Sequence, residues 1–174
     1  MLFAIDLQND YLDPKGKYYF PEVETIKDAM TRRFEQAMEN NELIAYTKNI
    51  YPKDEYLLRS EEEIKWAEEI HPDFKPYLEQ AQEFKKIHYG ISSEGALKFR
   101  DEFEDRKRDF EYIEFIGVET NVCVLANIAI VQNIFPNSGL RLRPQCTASS
   151  NPELKESAID ILKGLKVEVI ENEL

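Results

Sequence analysis

Short apolar runs alternate along the chain with longer stretches of helical period, and this alternation sets the expected architecture. Leu2-Phe3-Ala4-Ile5 is a continuous apolar run, the pattern of a strand buried on both faces. Across 22–40, Val23, Ile26, Met30, Phe34, Ala37 and Met38 fall on one helical face, and Asn40-Asn41 breaks the helix. Further strands are predicted over 43–47, 84–89, 112–118, 140–147 and 167–170, the one at 84–89 being the most polar. Ser93 is the expected cap of a helix running to about residue 104, with Ala96, Leu97 and Phe103 inward. The stretch 121–133 is apolar almost all round, which predicts a buried helix. Asn151-Pro152-Glu153 opens the last helix with a cap residue and a first-turn proline, and Leu154, Ala158, Ile161, Leu162 and Leu165 follow at helical spacing. Between the second and third strands, 48–80 is Glu-rich and interrupted by Pro52, Pro72 and Pro76. It reads as a long excursion with one or two short helices, and connections of this length are often functional.

Six strands separated by helical patterns make βα units and a mostly parallel sheet. Right-handed crossovers place helices on both faces, so a single three-layer α/β/α domain over 1–174 is expected. Composition agrees, with 43% hydrophobic and 32% charged residues. Twenty-two basic residues against 34 acidic ones give a net charge of −12, which argues against nucleic acid or an anionic membrane as partner. The one dense basic cluster, Arg106-Lys107-Arg108, lies inside an acidic run and reads as a solvated charged face. No apolar run is long enough to span a bilayer, and the apolar stretch at the start is too short for a secretory signal. Two cysteines make no disulfide framework, so a soluble cytoplasmic protein is expected.

Open parallel sheets bind ligands beyond the carboxyl ends of their strands, which directs attention to the residues after the first, third and fourth strands. Asp6 follows the first strand. A carboxylate there is costly to bury unless paired, although a turn or cap aspartate is the common explanation. After the fourth strand, Gly117 allows a tight turn, and Thr120 or Asn121 can cap the next helix. That puts Cys123 in the first helical turn, where free N–H groups and the helix dipole favour a thiolate. A small buried core residue is the alternative. In the third strand, alternation sends Lys85 and Lys86 to opposite faces, so one of them belongs at a solvated edge. Together, an acid, a lysine and a thiol from three strand ends make a nucleophile with a base and a cation beside it.

Three segments resemble the isochorismatase-like cysteine hydrolases, a family that includes nicotinamidases and related amidases. They are Ala4-Ile5-Asp6-Leu7-Gln8-Asn9-Asp10-Tyr11, Lys86-Ile87-His88-Tyr89-Gly90, and Gly117-Val118-Glu119-Thr120-Asn121-Val122-Cys123-Val124. The second is similar to the family's Lys-x-x-Tyr/Phe-Gly/Ser, and its spacing selects Lys86 over Lys85. The resemblance implies a Rossmann-like fold with strand order 3-2-1-4-5-6 and a triad of Asp6, Lys86 and Cys123. It implies that Asp6 moves the thiol proton, Lys86 stabilises charge and Cys123 attacks an amide-like carbonyl to form a thioester. It also implies a cis peptide at Val118–Glu119, with the backbone N–H groups of Glu119 and Cys123 as the oxyanion hole. Family members are commonly dimers or tetramers, so a homo-oligomer acting on a small molecule is expected.

The departures are as informative. Metal-dependent nicotinamidases carry Thr-x-Asp-x-His after the second strand, where this chain has Thr47-Lys48-Asn49-Ile50-Tyr51. His71 and His88 are the only histidines, too few for the usual zinc ligand set, so neither a catalytic metal nor another cofactor is expected. Tyr11, Tyr51, Tyr89 and Trp66 are candidates for an aromatic pocket. Cys146 reads as a buried structural thiol. Glu119 is unusual beside an oxyanion hole, where it would either repel an anionic intermediate or point to solvent. Two other readings remain beside amide hydrolysis: a catalytically silent binding or scaffold protein, and a thiol enzyme acting on a reactive electrophile.

Overall fold

The computed structural model describes residues 1–103 and 110–172. Arg106-Lys107-Arg108 lie outside the described residues. The strands are β1 (Leu2–Ile5), β2 (Ile44–Asn49), β3 (Gln82–Lys86), β4 (Tyr112–Val118), β5 (Gly139–Ala148) and β6 (Glu168–Val169). They form one all-parallel sheet in the order β3-β2-β1-β4-β5-β6. The helices are α1 (Asn9–Leu12), α2 (Lys27–Glu39), α3 (Glu61–Glu68), α4 (Lys75–Leu78), α5 (Ser93–Glu102), α6 (Leu125–Ile134) and α7 (Pro152–Gly164). No helix among the described residues is long and apolar enough to cross a membrane.

Alternation along β1 builds both cores. Phe3 and Ile5 pack with Phe99 of α5, Ile128 of α6 and Leu162 of α7 on one face. Leu2 and Ala4 pack with Met30 and Phe34 of α2 on the other. A buried ion network ties the second face together. Glu114 Oε1 accepts from Arg33 Nε at 3.0 Å and from Arg143 Nε at 2.9 Å, and the Arg33 fork also holds Glu42 at 3.1 and 2.8 Å. Between Phe115 and Gly117 the register with β5 shifts, which brings Cys146 onto the α2 face, fully buried as expected of a structural thiol.

Several element boundaries differ from the pattern-based expectation. The second strand extends to Asn49, and the third ends at Lys86, because the following Ile87, His88 and Tyr89 turn out into solvent. Ser92 rather than Ser93 caps α5, accepting from Gly95 N at 3.1 Å. Phe99 fills the place expected of Leu97, which is exposed. The α6 stretch is buried on one side only, through Val124, Asn127, Ile128 and Val131. Asn151 caps α7 as expected, accepting from Glu153 N and Leu154 N. The excursion holds a 3₁₀ turn at Lys53–Leu57 as well as α3 and α4.

Gly117 lets β4 lie against the end of β1. Its φ is 112°, and a Cβ there would come 2.1 Å from the Ile5 carbonyl oxygen. Gly117→Ala is therefore expected to destabilise by about 3 kcal/mol or more, through a disfavoured backbone and a backbone clash together. Gly164→Ala, where nothing lies within 4 Å, serves as the neutral control. Urea midpoints of the two variants check this, and equal midpoints would refute it.

Candidate active site

Each candidate side chain is delivered by a strand end. β1 stops at Ile5, and Asp6 enters the left-handed region at φ 54°, a conformation that Asp tolerates better than most residues. Lys86 is the last residue of β3, buried while Lys85 is exposed. The turn after β4 carries Cys123, in a π-helical segment, Thr120–Val124, that precedes α6. No side chain caps this segment. Thr120 Oγ1 instead donates to the Ala148 carbonyl at 3.1 Å, which ties the turn to the end of β5. The Val118–Glu119 peptide bond is cis.

These three residues meet. Lys86 Nζ lies 2.7 Å from Asp6 Oδ2 and 3.5 Å from Cys123 Sγ, and it donates to the His88 carbonyl at 2.9 Å and to Asn49 Oδ1 at 3.2 Å. The side chains of Asp6 and Lys86 are wholly buried, so each charge is offset inside the protein rather than by water. Asp6 Oδ1 accepts from Thr47 Oγ1 at 2.7 Å, while the Asp6 N–H donates back to that same oxygen at 3.1 Å. The thiol's electrostatics run against the helix-turn expectation. Burial and then the Asp6 charge push Cys123 up to about 12, outweighing Lys86, which pulls it down. The resting sulfur is thus a thiol beside a carboxylate, and the dipole of one short turn does not reverse that.

The rest of the first motif fastens the excursion to this centre. Gln8 Nε2 donates to the carbonyls of Asn49 and Glu68 at 2.8 and 3.1 Å, and Gln8 Oε1 accepts from Asn49 N at 2.7 Å. Asn9 Nδ2 donates to the Trp66 carbonyl at 2.9 Å. Asp10, buried, accepts from Arg59 Nη1 at 2.9 and 2.8 Å and from the Tyr51 hydroxyl. Asn127 fastens the other side, its Nδ2 donating to the carbonyls of Cys123 and Tyr89 at 2.7 and 3.1 Å. The Glu119 carboxylate is held by Ser150, whose N–H and hydroxyl both donate to Oε2 at 2.7 Å. These two bonds hold the carboxylate at the exposed end of the turn.

A cavity of about 430 Å³ opens over Cys123. Tyr11, Tyr51 and Tyr89 line it, and Asn49 and Glu119 contribute polar groups. Tyr89 sits at the exposed rim. Trp66 packs instead beneath, against Tyr51, Ile64 and Ala67. Among the lining residues that the sequence did not mark as pocket candidates are Tyr18 and Glu55. Tyr18 stacks between Tyr11 and Tyr51, with ring centroids 5.9 and 6.3 Å away, and Glu55 belongs to the 3₁₀ turn of the excursion. Neither lies in a recognisable motif. The tyrosine spacing Tyr11, Tyr18, Tyr19 offered the one available signal.

A doubly wound parallel sheet, with a buried acid, lysine and thiol converging at its carboxyl edge beneath an aromatic cavity, defines a thiol-bearing α/β enzyme. The isochorismatase domain family matches residues 1–173. Among curated proteins no sequence matches. Similar solved structures include an isochorismatase-like hydrolase from Alkaliphilus metalliredigens, with 20% identity and a TM-score of 0.76, covering 97% of this chain and 92% of that one. The Bacillus subtilis nicotinamidase has 19% identity and a TM-score of 0.78, with 98% of each chain covered. The Pyrococcus horikoshii pyrazinamidase, solved in complex with zinc, has 17% identity and a TM-score of 0.73, again with 98% of each chain covered. The chain belongs to the isochorismatase family and is a hydrolase of it.

The donor set at the corresponding corner does not fit a zinc ion. Asn49 offers a neutral amide whose oxygen is taken by Lys86, Tyr51 is bonded to Asp10, and Asp10 is taken by Arg59. His71 lies elsewhere, against Phe74, with Nδ1 accepting from Asp73 N. Among the described residues no group of three or more His, Cys, Asp and Glu side chains is placed to hold a metal.

Proposed function

We propose that this protein is a metal-independent cysteine hydrolase that cleaves the C–N bond of a small amide, imide or carbamoyl compound through a thioester. The observation that carries the reading is the contact of Lys86 Nζ with both Asp6 and Cys123 at the floor of the aromatic cavity. In the reaction, Asp6 takes the thiol proton as Sγ attacks the carbonyl carbon. The negative charge that Asp6 gives up passes through the sulfur to the carbonyl oxygen, and Lys86, beside both Asp6 and Sγ, stabilises it on the way. The N–H groups of Glu119 and Cys123 would donate to the carbonyl oxygen as it becomes an oxyanion, each worth about 3 kcal/mol in the barrier. Asp6 returns the proton to the departing nitrogen, leaving a thioester on Cys123. Water, deprotonated by Asp6, hydrolyses the thioester to the acid and regenerates the thiol.

Because the resting thiol is pushed up to about 12, the nucleophile is made during the attack and not stored beforehand. That same raised value favours a second reading, a silent binding protein on this fold. Ammonia release from a panel of primary amides separates the two. The wild type is expected to turn over at least one, to be unaffected by a chelator, and to lose turnover in Cys123→Ala. A wild type that releases no ammonia, with Cys123 alkylated no faster than the fully buried Cys146, would establish the silent protein instead.

A further inference from the structure

Resting on the hydrolase reading, we infer that Glu119 is a positioning residue for the oxyanion hole: its side-chain bonds to Ser150 hold its own N–H where the substrate's carbonyl oxygen becomes charged. All three polar groups of this residue serve the turn. Its N–H is the proposed donor. Its carbonyl accepts from Val122 N at 3.1 Å and from Val124 N at 3.0 Å, the two residues that flank Cys123. Its carboxylate reaches the segment ahead of α7, where one oxygen, Oε2, accepts from both the N–H and the hydroxyl of Ser150 at 2.7 Å. A change in the pose of residue 119 therefore moves one donor of the hole directly, and moves the residue carrying the other through its neighbours.

The segment that Glu119 reaches is itself fixed. Residues 148–150 join β5 to the cap of α7, and Asn151 closes that helix by accepting from Glu153 N at 3.0 Å and Leu154 N at 3.1 Å. Ala148 and Ser149 are buried. The next two residues of the nucleophile turn are fastened to the same segment. Thr120 Oγ1 donates to the Ala148 carbonyl at 3.1 Å. Asn121 Oδ1 lies against the Ser149 hydroxyl, which also accepts from Asn151 N at 3.2 Å. Three successive residues of the turn are thus tied to three successive residues at the end of β5. Donors of an oxyanion hole act through fixed placement, because a donor that must reorganise during the reaction loses its advantage over water. A side chain ending on Ser150 supplies that fixity to residue 119. Its negative charge is not needed for this, since an amide oxygen can accept the same two bonds.

Benzaldehyde reads the hole without turnover. The Cys123 S–H adds across the aldehyde: the S–C bond forms, the carbonyl π pair moves to oxygen, and that oxygen takes the proton the sulfur gave up. The product is a hemithioacetal whose oxygen lies where the oxyanion would. Iodoacetamide reads the sulfur alone, since the thiol displaces iodide from a methylene carbon and no charge builds on oxygen. Glu119→Ala and Glu119→Gln both remove the charge, and only glutamine keeps an acceptor for Ser150. Titration of the adduct, followed by the NMR signal of the labelled aldehyde carbon, is expected to show binding about tenfold or more weaker in Glu119→Ala than in Glu119→Gln. Labelling of Cys123 by iodoacetamide is expected to be equal in the two. Ser150→Ala is expected to weaken the adduct in the same direction but by less, because the Ser150 N–H remains. Equal adduct affinity in the alanine and glutamine variants, labelling that falls along with the adduct, or no adduct on the wild type would overturn the inference. Ammonia release by the wild type is scored separately. Turnover with equal adducts sinks only this inference, and the adduct gap without turnover sinks only the hydrolase reading.

Discussion

Asp6→Asn is expected to abolish hydrolysis while making Cys123 easier to alkylate. The two effects have opposite signs because Asp6 plays two parts. In the proposed reaction Asp6 is both base and acid, so its loss removes proton transfer at the thiol and at the leaving nitrogen, about 10²–10⁴ in rate. As a negative charge beside the sulfur, it is the second-largest cause, after burial, of the thiol's being held near 12. Removing that charge leaves Lys86 3.5 Å from Sγ as the dominant neighbour, which favours the thiolate, so the folded-state value falls and more thiolate exists at any pH below it. A mass-spectrometric time course of iodoacetamide labelling between pH 7 and 9 reads the change, at conditions where the wild type is nearly all thiol. Cys146 provides the internal reference, since its own high value comes from burial and then the Glu114 charge, which outweigh the nearby arginines. If activity and labelling of Cys123 fall together, Asp6 is holding the site's shape and not moving its proton.

The largest expected loss of stability is at Glu114→Leu, far from the chemistry. One carboxylate oxygen accepts from two buried guanidiniums, Arg33 of α2 and Arg143 of β5. A leucine of similar size keeps the packing but leaves Arg143 without its carboxylate and Arg33 with Glu42 alone. Breaking a buried pair by removing one partner costs about 3–5 kcal/mol. For a chain of this length that lowers the melting temperature by roughly 10 °C. Thermal and urea unfolding check the value, and a loss below about 1 kcal/mol would show that water reaches the two arginines.

These two residues also show what was legible in the amino-acid sequence. Asp6, Lys86 and Cys123 stand at the ends of strands that the apolar pattern marks out, and the strand order follows from the family those motifs resemble. Periodicity places β1 and β4 most closely, because they are buried on both faces, whereas the polar β3 lies two to three residues earlier than its pattern suggests. Partners distant in sequence were not legible. Thr47 supports Asp6 from 41 residues away, and Arg33 reaches Glu114 across 81. No local pattern encodes such pairings. Gln8, Asn9 and Asp10 read as motif letters, and only the fold shows that they hold the excursion against β1 and β2. The thiol's titration was misjudged for a related reason: helix position is local, whereas burial and the Asp6 charge come from the assembled sheet.

The sheet order has a consequence for how the centre comes into being. Lys86 comes from β3, Thr47 and Asn49 from β2, Asp6 from the end of β1 and Cys123 from beyond β4, so four adjacent strands each supply a part. β1 is only four residues long and lies between β2 and β4. Without it in place, Asp6 is missing and the lysine and thiol are separated by a gap one strand wide. The centre therefore depends on the seating of that one short strand, and whatever loosens β1 separates all of its parts at once.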